Sequence, residues 1–407
     1  MEKDQEKPIL ISSENLRIYG FACFYPEQVP ELVKGYWHRE VEIAVGGVIG
    51  PQVKKFRIPE SLLINLSGTS KIVDDRHFSI TSHDSEIEII KLLSERAGWN
   101  QTFADLQSMI SHGKGGIFIA YYNYLNHEFP LGSGVSFPVH EDLAWIGMIL
   151  VHKELRRQGI ARRMMRICLA HSRMVQKKSI IGLDATPLGK QVYDSLGFKD
   201  SFLIWRSIIQ TDNEKCEFAE TADIPFNLEE VQDYLVEKNY PERFQIVKLL
   251  GELQGSKNMM AISKNRILGF IMSRPGRLKP FIGPLIADSP EIANYLLREI
   301  LHHWKGEGYK EVFMDIPEQH LGEDSVFKNS EVSTDSSQEH MLIKPVRSLM
   351  RMYQLISDVE ISEYSQNMDE TALQMAVEGY EKTRIFMEKE RNDIVPIMFG
   401  TSGPEWS

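Results

Sequence analysis

The sequence of 407 residues contains only three cysteines, Cys23, Cys168 and Cys216. Their number is odd and none sits in a CxxC or zinc-ligand spacing, which argues against a disulfide scaffold and for a reducing compartment. Long apolar runs are also missing. No stretch reaches the roughly 18 residues that a membrane-spanning helix needs, and the opening MEKDQEK is charged where a secretory leader has an apolar segment. A cytoplasmic protein without a membrane partner is therefore expected. Basic charge is in deficit: 46 Lys and Arg against 57 Asp and Glu leave a net charge of −11, so nucleic acid is not expected as a partner. GxSxG, HExxH and Walker A patterns are absent, and no metal is expected.

What is present has the proportions of a globular protein, with 42% hydrophobic and 25% charged residues. The length exceeds one ordinary core and points to two or three domains. Residues 1–75 hold short β-like runs, IYGFACFY and VEIAVGGVIG, and form an N-terminal extension of unassigned role. From His77 the pattern predicts a strand (HFSI), a helix over HDSEIEIIKLLSERAGW with Ile87, Ile90 and Leu93 on one face, and a second helix over TFADLQSMI. GGIFIAYY reads as a strand, NHEFPLGSGVSFPVHED as a loop, and LAWIGMILV as a strand apolar on both faces, as a strand in mid-sheet requires. A helix from about Gly159 and the strand SIIGLD complete a strand-helix-strand unit.

The same order returns in RILGFIMSR, KPFIGPLIA, SPEIANYLLREILHHWKGEGY and KEVFMDIP, which reads as an internal duplication. The expected divisions are 76–210 for the first unit and 215–360 for the second, with the polar QTDNEKCEFAETAD between them and GEDSVFKNSEVSTDSSQEH as a loop. Residues 361–407 are expected to supply a helix and tail packing on the second unit.

The stretch ELRRQGIARRMM, Glu154 to Met165, carries the first chemical signal. A strand that turns tightly into a helix leaves the first helical N–H groups unpaired, at the positive end of the helix dipole. Gly159 allows a phosphate to approach the backbone, Ala161 keeps the next turn low, and Arg156 and Arg157 add charge. The alternative is a basic helix start on the surface. Downstream, PLGKQVYDSLGF has Thr186 as N-cap, Pro187 at the first helical position and Gly197 as the stop, with Leu188, Val192 and Leu196 expected in the core. Tyr193 falls on the side of Gly189, whose missing side chain leaves room for a ligand, although a half-buried packing tyrosine is the simpler reading of that residue alone.

Together, AWIGMILVHKELRRQGIARRMM and LDATPLGKQVYDSLGF resemble the GNAT N-acetyltransferase superfamily over roughly residues 77–208. The resemblance implies an α/β fold with a mixed sheet, the acyl-CoA N-acyltransferase fold, and acetyl-CoA as co-substrate. It implies that Arg156, Arg157, Gln158, Gly159, Ile160 and Ala161 bind the CoA pyrophosphate through backbone N–H groups. It also implies that main-chain groups of Met148, Ile149, Leu150 and Val151 meet the pantetheine arm and the acetyl carbonyl, and that Tyr193 protonates the departing thiolate. AGWNQTFADL, IGPLIADSPEIANYLL, DIPE, RMYQ and the closing FGTSGPEWS look like a tandem subgroup with a second, divergent GNAT-like domain.

Two departures from the family pattern stand out. The glutamate base of the central strand is missing from LAWIGMILV, and the asparagine before the last helix is replaced in DATP. Asp184 and Asp142, at strand ends, are the base candidates, and each reads equally well as a solvated strand end. Cys168 sits among apolar helix neighbours and is expected to be buried. In the second unit ADSPEIA replaces RRQGIA, placing Asp288 and Glu291 at the helix start, where carboxylates repel a pyrophosphate. That unit is expected to bind no CoA and to cover the acceptor side of the first or serve as a structural partner. The activity implied is acetyl transfer to the amine of a small molecule or peptide. The alternative is a non-catalytic acyl-CoA sensor or scaffold.

Overall fold

A computed structural model describes residues 9–11, 16–22, 56–58, 71–72, 84–111, 115–124, 127–153, 156–157, 159–211, 226–321, 327–329, 341–355, 370–394 and 398–400. The expected strands VEIAVGGVIG and HFSI, and most of the polar linker and of the Ser-rich loop, lie outside these residues. The chain divides into two compact units, residues 1–138 with 146–177, and residues 139–145 with 178–407. Among the described residues no helix is long and apolar enough to cross a membrane.

In the first unit, β1 (Ile9–Ile11) pairs with β3 (Phe56–Ile58). A separate run of strands follows the order β2 (Leu16–Ala22), β5 (Gly116–Tyr124), β6 (His127–Pro138) and β7 (Leu143–Val151, in this unit from Ile146), with β4 (Lys71–Ile72) beside β6. Helices α1 (Asp84–Arg96) and α2 (Phe103–Ser111) pack on β6, and α1 buries the expected Ile87, Ile90 and Leu93. Helix α3 (Ile160–Ala170) turns Ile160, Met164, Ile167 and Cys168 inward and lies on β5 and β6.

The stretch expected to be a loop, 126–142, is mostly strand β6. Its glycines serve close approach rather than turning. A β-carbon on Gly132 would stand 2.6 Å from the Leu150 carbonyl oxygen, and one on Gly134 would stand 2.9 Å from Ile149 Cδ1.

The second unit contains β8 (Ile180–Ala185), α4 (Pro187–Asp194), β9 (Phe198–Gln210), α5 (Leu228–Glu237), α6 (Phe244–Gly251), β10 (Lys257–Ser263) and β11 (Arg266–Arg274). It continues through β12 (Phe281–Ala287), α7 (Pro290–Gly306), β13 (Glu311–Pro317), β14 (Phe327–Asn329), β15 (Met341–Gln354), α8 (Glu370–Lys389) and β16 (Met398–Gly400). Its strand order is β10-β11-β12-β13-β9-β15-β8, followed by the first residues of β7. Leu143, Ala144 and Trp145 run parallel to Ile180, Ile181 and Gly182, and β12 runs parallel to β13, so both strand-helix-strand repeats have the expected strand direction.

The order contains an exchange. β9 follows β8 in sequence yet pairs with β13, from Ile204 to Gln210, while β15 follows β13 and pairs with β8, from Met350 to Tyr353. The two crossing strands pair with each other. Each carries an arginine opposite an aspartate of its adopted neighbour: Arg206 faces Asp315, and Arg351 faces Asp184. Both pairs are bidentate, at 2.8 and 2.8 Å for Arg206 and 3.0 and 3.0 Å for Arg351. All four side chains are buried, a setting in which the fork geometry of arginine satisfies both carboxylate oxygens at once.

Candidate active site

Within the first unit, Met148 of β7 has a φ of 54°, unusual for a residue with a side chain. Ser133 of β6 donates its hydroxyl to the Met148 carbonyl at 2.9 Å. Met148 and Leu150 are buried, while Ile149 and Val151 are half-buried. β7 runs on to Val151, whose carbonyl accepts a hydrogen bond from Arg156 Nε at 3.2 Å.

The turn that follows ends at Gly159, the N-cap of α3, with φ of 83°. That left-handed conformation strains any residue with a β-carbon, which accounts for glycine here. No side chain caps α3 among the described residues. Arg156, Arg157 and Gly159 are exposed, Ile160 is buried and Ala161 is half-buried. A β-carbon on Gly159 would meet nothing within 4 Å. Gln158 lies outside the described residues. The result is an exposed helix start with no side-chain cap among the described residues and two arginines in its approach, a chemistry suited to anions.

The helix start in the second repeat is built oppositely. Pro290 has no N–H to offer, Ser289 Oγ accepts from Ile292 N at 3.4 Å, and Ala293 N donates to the Ser289 carbonyl at 3.0 Å. Hydrogen bonds from the Ser289 side chain and from its own backbone N–H hold the Glu291 carboxyl below its ordinary pKa. Asp288, next to this helix start, is engaged elsewhere. It accepts from Tyr234 Oη at 2.7 Å and pairs with Lys238 at 2.7 Å.

Tyr193 belongs to the second unit. Helix α4 begins as its sequence dictates: Thr186 accepts from Gly189 N at 3.2 Å, Pro187 is first, and Gly197 with φ of 81° follows the end. Three expectations are corrected, the first being Val192, which is half-buried rather than in the core. Leu188 is 52% exposed, and Gly189 leaves room for Tyr193 rather than for a ligand. A β-carbon there would stand 2.8 Å from Tyr193 Cε2 and 3.0 Å from its hydroxyl oxygen. Tyr193 is 8% exposed, its ring tilted against Phe198 at 6.1 Å.

The base candidates fare differently. Each oxygen of Asp184 accepts a hydrogen bond from Arg351, a buried charge pair that opposes proton uptake by this carboxylate. Asp142 sits at the surface, accepting from Ser179 Oγ at 3.2 Å and pairing with Lys382 at 3.3 Å. Burial pushes the Cys168 thiol far above its ordinary value, which removes it as a nucleophile.

Sequence reasoning missed the cluster beside Asp184. Glu390 accepts from Tyr240 Oη at 3.1 Å, Arg243 at 3.0 Å, Arg351 at 3.2 Å and Tyr353 Oη at 2.5 Å, all buried. Trp145 lies against both guanidinium groups, with ring-centroid distances of 5.7 Å to Arg243 and 5.1 Å to Arg351. Burial alone would raise the Glu390 pKa, but the charges of Arg351 and Arg243 and the hydrogen bond from Tyr353 outweigh it and hold the carboxyl below its ordinary value. Only the contrast of charged residues within apolar strand and helix patterns could have signalled these positions.

Family comparison adds to the local geometry. The family description "Acetyltransferase (GNAT) domain" matches this chain twice, over residues 133–202 and over residues 242–356. Two GNAT domains lie in tandem in this chain. The first GNAT match contains Met148, the start of α3 and Tyr193, and the second contains β12 and the capped start of α7. Acyl transfer is the chemistry of the GNAT family. Among relatives, an uncharacterized N-acetyltransferase of Bacillus subtilis, YitH, is 22% identical over 247 residues, spanning 59% of this chain and 82% of its own. A crystal structure of a candidate acetyltransferase from Pyrococcus horikoshii is 21% identical, over 69% of this chain and 89% of that one, with a TM-score of 0.47. A tandem GNAT protein from the clavulanic acid biosynthesis pathway is 11% identical, over 66% of this chain and 94% of that one, with a TM-score of 0.45.

Proposed function

We propose that the first GNAT domain transfers an acetyl group from acetyl-CoA to the amine of a small molecule or peptide. The observation that carries this reading is the pairing of the left-handed Met148 of β7, its carbonyl held by Ser133, with a start of α3 at Gly159 that has no side-chain cap among the described residues. The open space over Gly159 and the absence of a side-chain cap fit a phosphate group.

In this reading the backbone N–H groups of Gln158, Gly159, Ile160 and Ala161 hold the pyrophosphate, with Arg156 and Arg157 supplying charge. Main-chain groups of Met148, Ile149, Leu150 and Val151 hold the pantetheine and polarise the acyl carbonyl. When bound, acetyl-CoA supplies an activated thioester. Tyr193 gives its hydroxyl proton to the departing sulfur. Asp184 is committed to Arg351, so the amine arrives neutral and sheds its second proton to water. The domain division 76–210 and 215–360 belongs to the same reading, with β9 and β15 exchanged between the two.

The test is release of free thiol from acetyl-CoA by the purified full chain, with and without a panel of amines. Amine-dependent release is the expected result. Saturable acetyl-CoA binding without release for any amine would establish the sensor alternative instead.

A further inference from the structure

The two repeats can be set side by side through their central strands. WIGMILV, Trp145–Val151, and FIGPLIA, Phe281–Ala287, share the Ile-Gly step and the apolar run after it. The alignment puts Pro284 where Met148 stands, and Leu285 and Ile286 where Ile149 and Leu150 stand. Pro284 has no N–H to offer a ligand. β12 pairs with β13 at Phe281 with Phe313 and Ile282 with Met314. Past those residues its flank away from β11 is taken by β16: Leu285 pairs with Gly400 and Ile286 with Met398, antiparallel, and β16 also lies against β13. Met398 is 3% exposed. The segment therefore meets β12 at the residues matching those assigned above to pantetheine.

We infer that the second GNAT domain has its counterpart of the pantetheine groove built as a strand-binding site, and that its occupant is the chain's own Met398–Gly400. An extended peptide presents alternating amide N–H and carbonyl groups to a strand edge, so it satisfies β12 by strand addition and buries an apolar side chain as it does so. Groove and helix start are thus closed by separate devices, the groove by β16 and the start of α7 by Ser289 and Glu291. The correspondence between β12 and β7 rests on the acetyl-CoA reading of β7, whereas the occupancy by β16 does not.

The test uses the full chain carrying Ile286→Cys and Met398→Cys. Directly paired antiparallel residues lie within reach of a disulfide. Mild oxidation should link the peptides containing positions 286 and 398 in most molecules, read by mass analysis after proteolysis, and neither single variant should do so. A second measurement uses the chain ending at Ile394. It should melt at lower temperature than the full chain, and a synthetic peptide of residues 395–407 should restore the melting point with saturable binding. No cross-link in the double variant, or a truncated chain that melts as the full chain does and ignores the peptide, would overturn the inference. If truncation prevents folding, the cross-link decides. A cross-linked protein that acetyl-CoA does not stabilise would refute the acetyl-CoA reading and leave the strand site standing.

Discussion

Arg351 of β15 grips Asp184 of β8 with two hydrogen bonds of 3.0 Å, and its remaining nitrogen reaches Glu390 at 3.2 Å. One exchanged strand is thereby fixed to its adopted neighbour by a buried charge pair, as Arg206 and Asp315 fix the other. Removing one partner of such a pair leaves an uncompensated buried charge. Asp184→Ala should therefore cost on the order of 3–5 kcal/mol of unfolding free energy in denaturant titration. If Asp184 is structural, the folded Asp184→Asn variant should keep the wild-type pH-rate profile. Loss of the basic limb of that profile would return Asp184 to the role of general base.

The Glu390 cluster gives a pH dependence with a definite sign. The folded-state pKa lies below the ordinary 4.5 of a glutamate, so its contribution is fully present above that pH and is lost as pH falls through the folded value. Glu390→Gln should lower stability at neutral pH by about 3–5 kcal/mol. It should also flatten the fall in melting temperature below about pH 4.5, the ordinary value. A wild-type acid profile in Glu390→Gln would show that the carboxylate contributes nothing.

If Tyr193 is the proton donor proposed above, Gly189 bears on catalysis through it. A methyl at position 189 would collide with the phenol ring, 2.8 Å from Cε2, and must displace it. Gly189→Ala and Tyr193→Phe should each lower the transfer rate by roughly 10² or more while leaving acetyl-CoA affinity in place. Steady-state kinetics with calorimetric affinities checks both. An undiminished rate in Tyr193→Phe would assign the ring to packing alone.

Under the proposed function, the capped start of α7 gives an expected stoichiometry of one CoA per chain. Replacing Asp288 and Glu291 with alanine should leave that value unchanged, because the second repeat still lacks the glycine and arginines of the first and still has Ser289 as its cap. Isothermal titration calorimetry measures it. Two equivalent sites in the wild-type chain would refute the assignment.

Much of this architecture was legible in the sequence because local rules governed it. The Thr186-Pro187 start of α4, the Gly159 turn and the Ile87, Ile90 and Leu93 face all follow from capping, backbone freedom and helical spacing. What stayed hidden was set by distant partners. Gly132 and Gly134 read as loop residues because nothing local reveals that Leu150 and Ile149 crowd them. The exchange of β9 and β15 leaves no trace in either strand's own pattern, and the Arg351–Asp184 and Arg351–Glu390 contacts join segments far apart in the chain. By sequence Asp288 stands at the helix start, and only the fold brings Tyr234 and Lys238 to claim it.

The most direct test of the central claim is thermal unfolding of wild type and Gly159→Val, each with and without acetyl-CoA. Valine is strained at a φ of 83°, so each variant serves as its own reference. In the wild type a hundredfold excess of acetyl-CoA over its dissociation constant should add about 2.7 kcal/mol of stability. In Gly159→Val the added side chain covers the N–H groups at the start of α3, and the ligand-induced shift should vanish. A shift of wild-type size in Gly159→Val would contradict the assignment of this turn to the pyrophosphate.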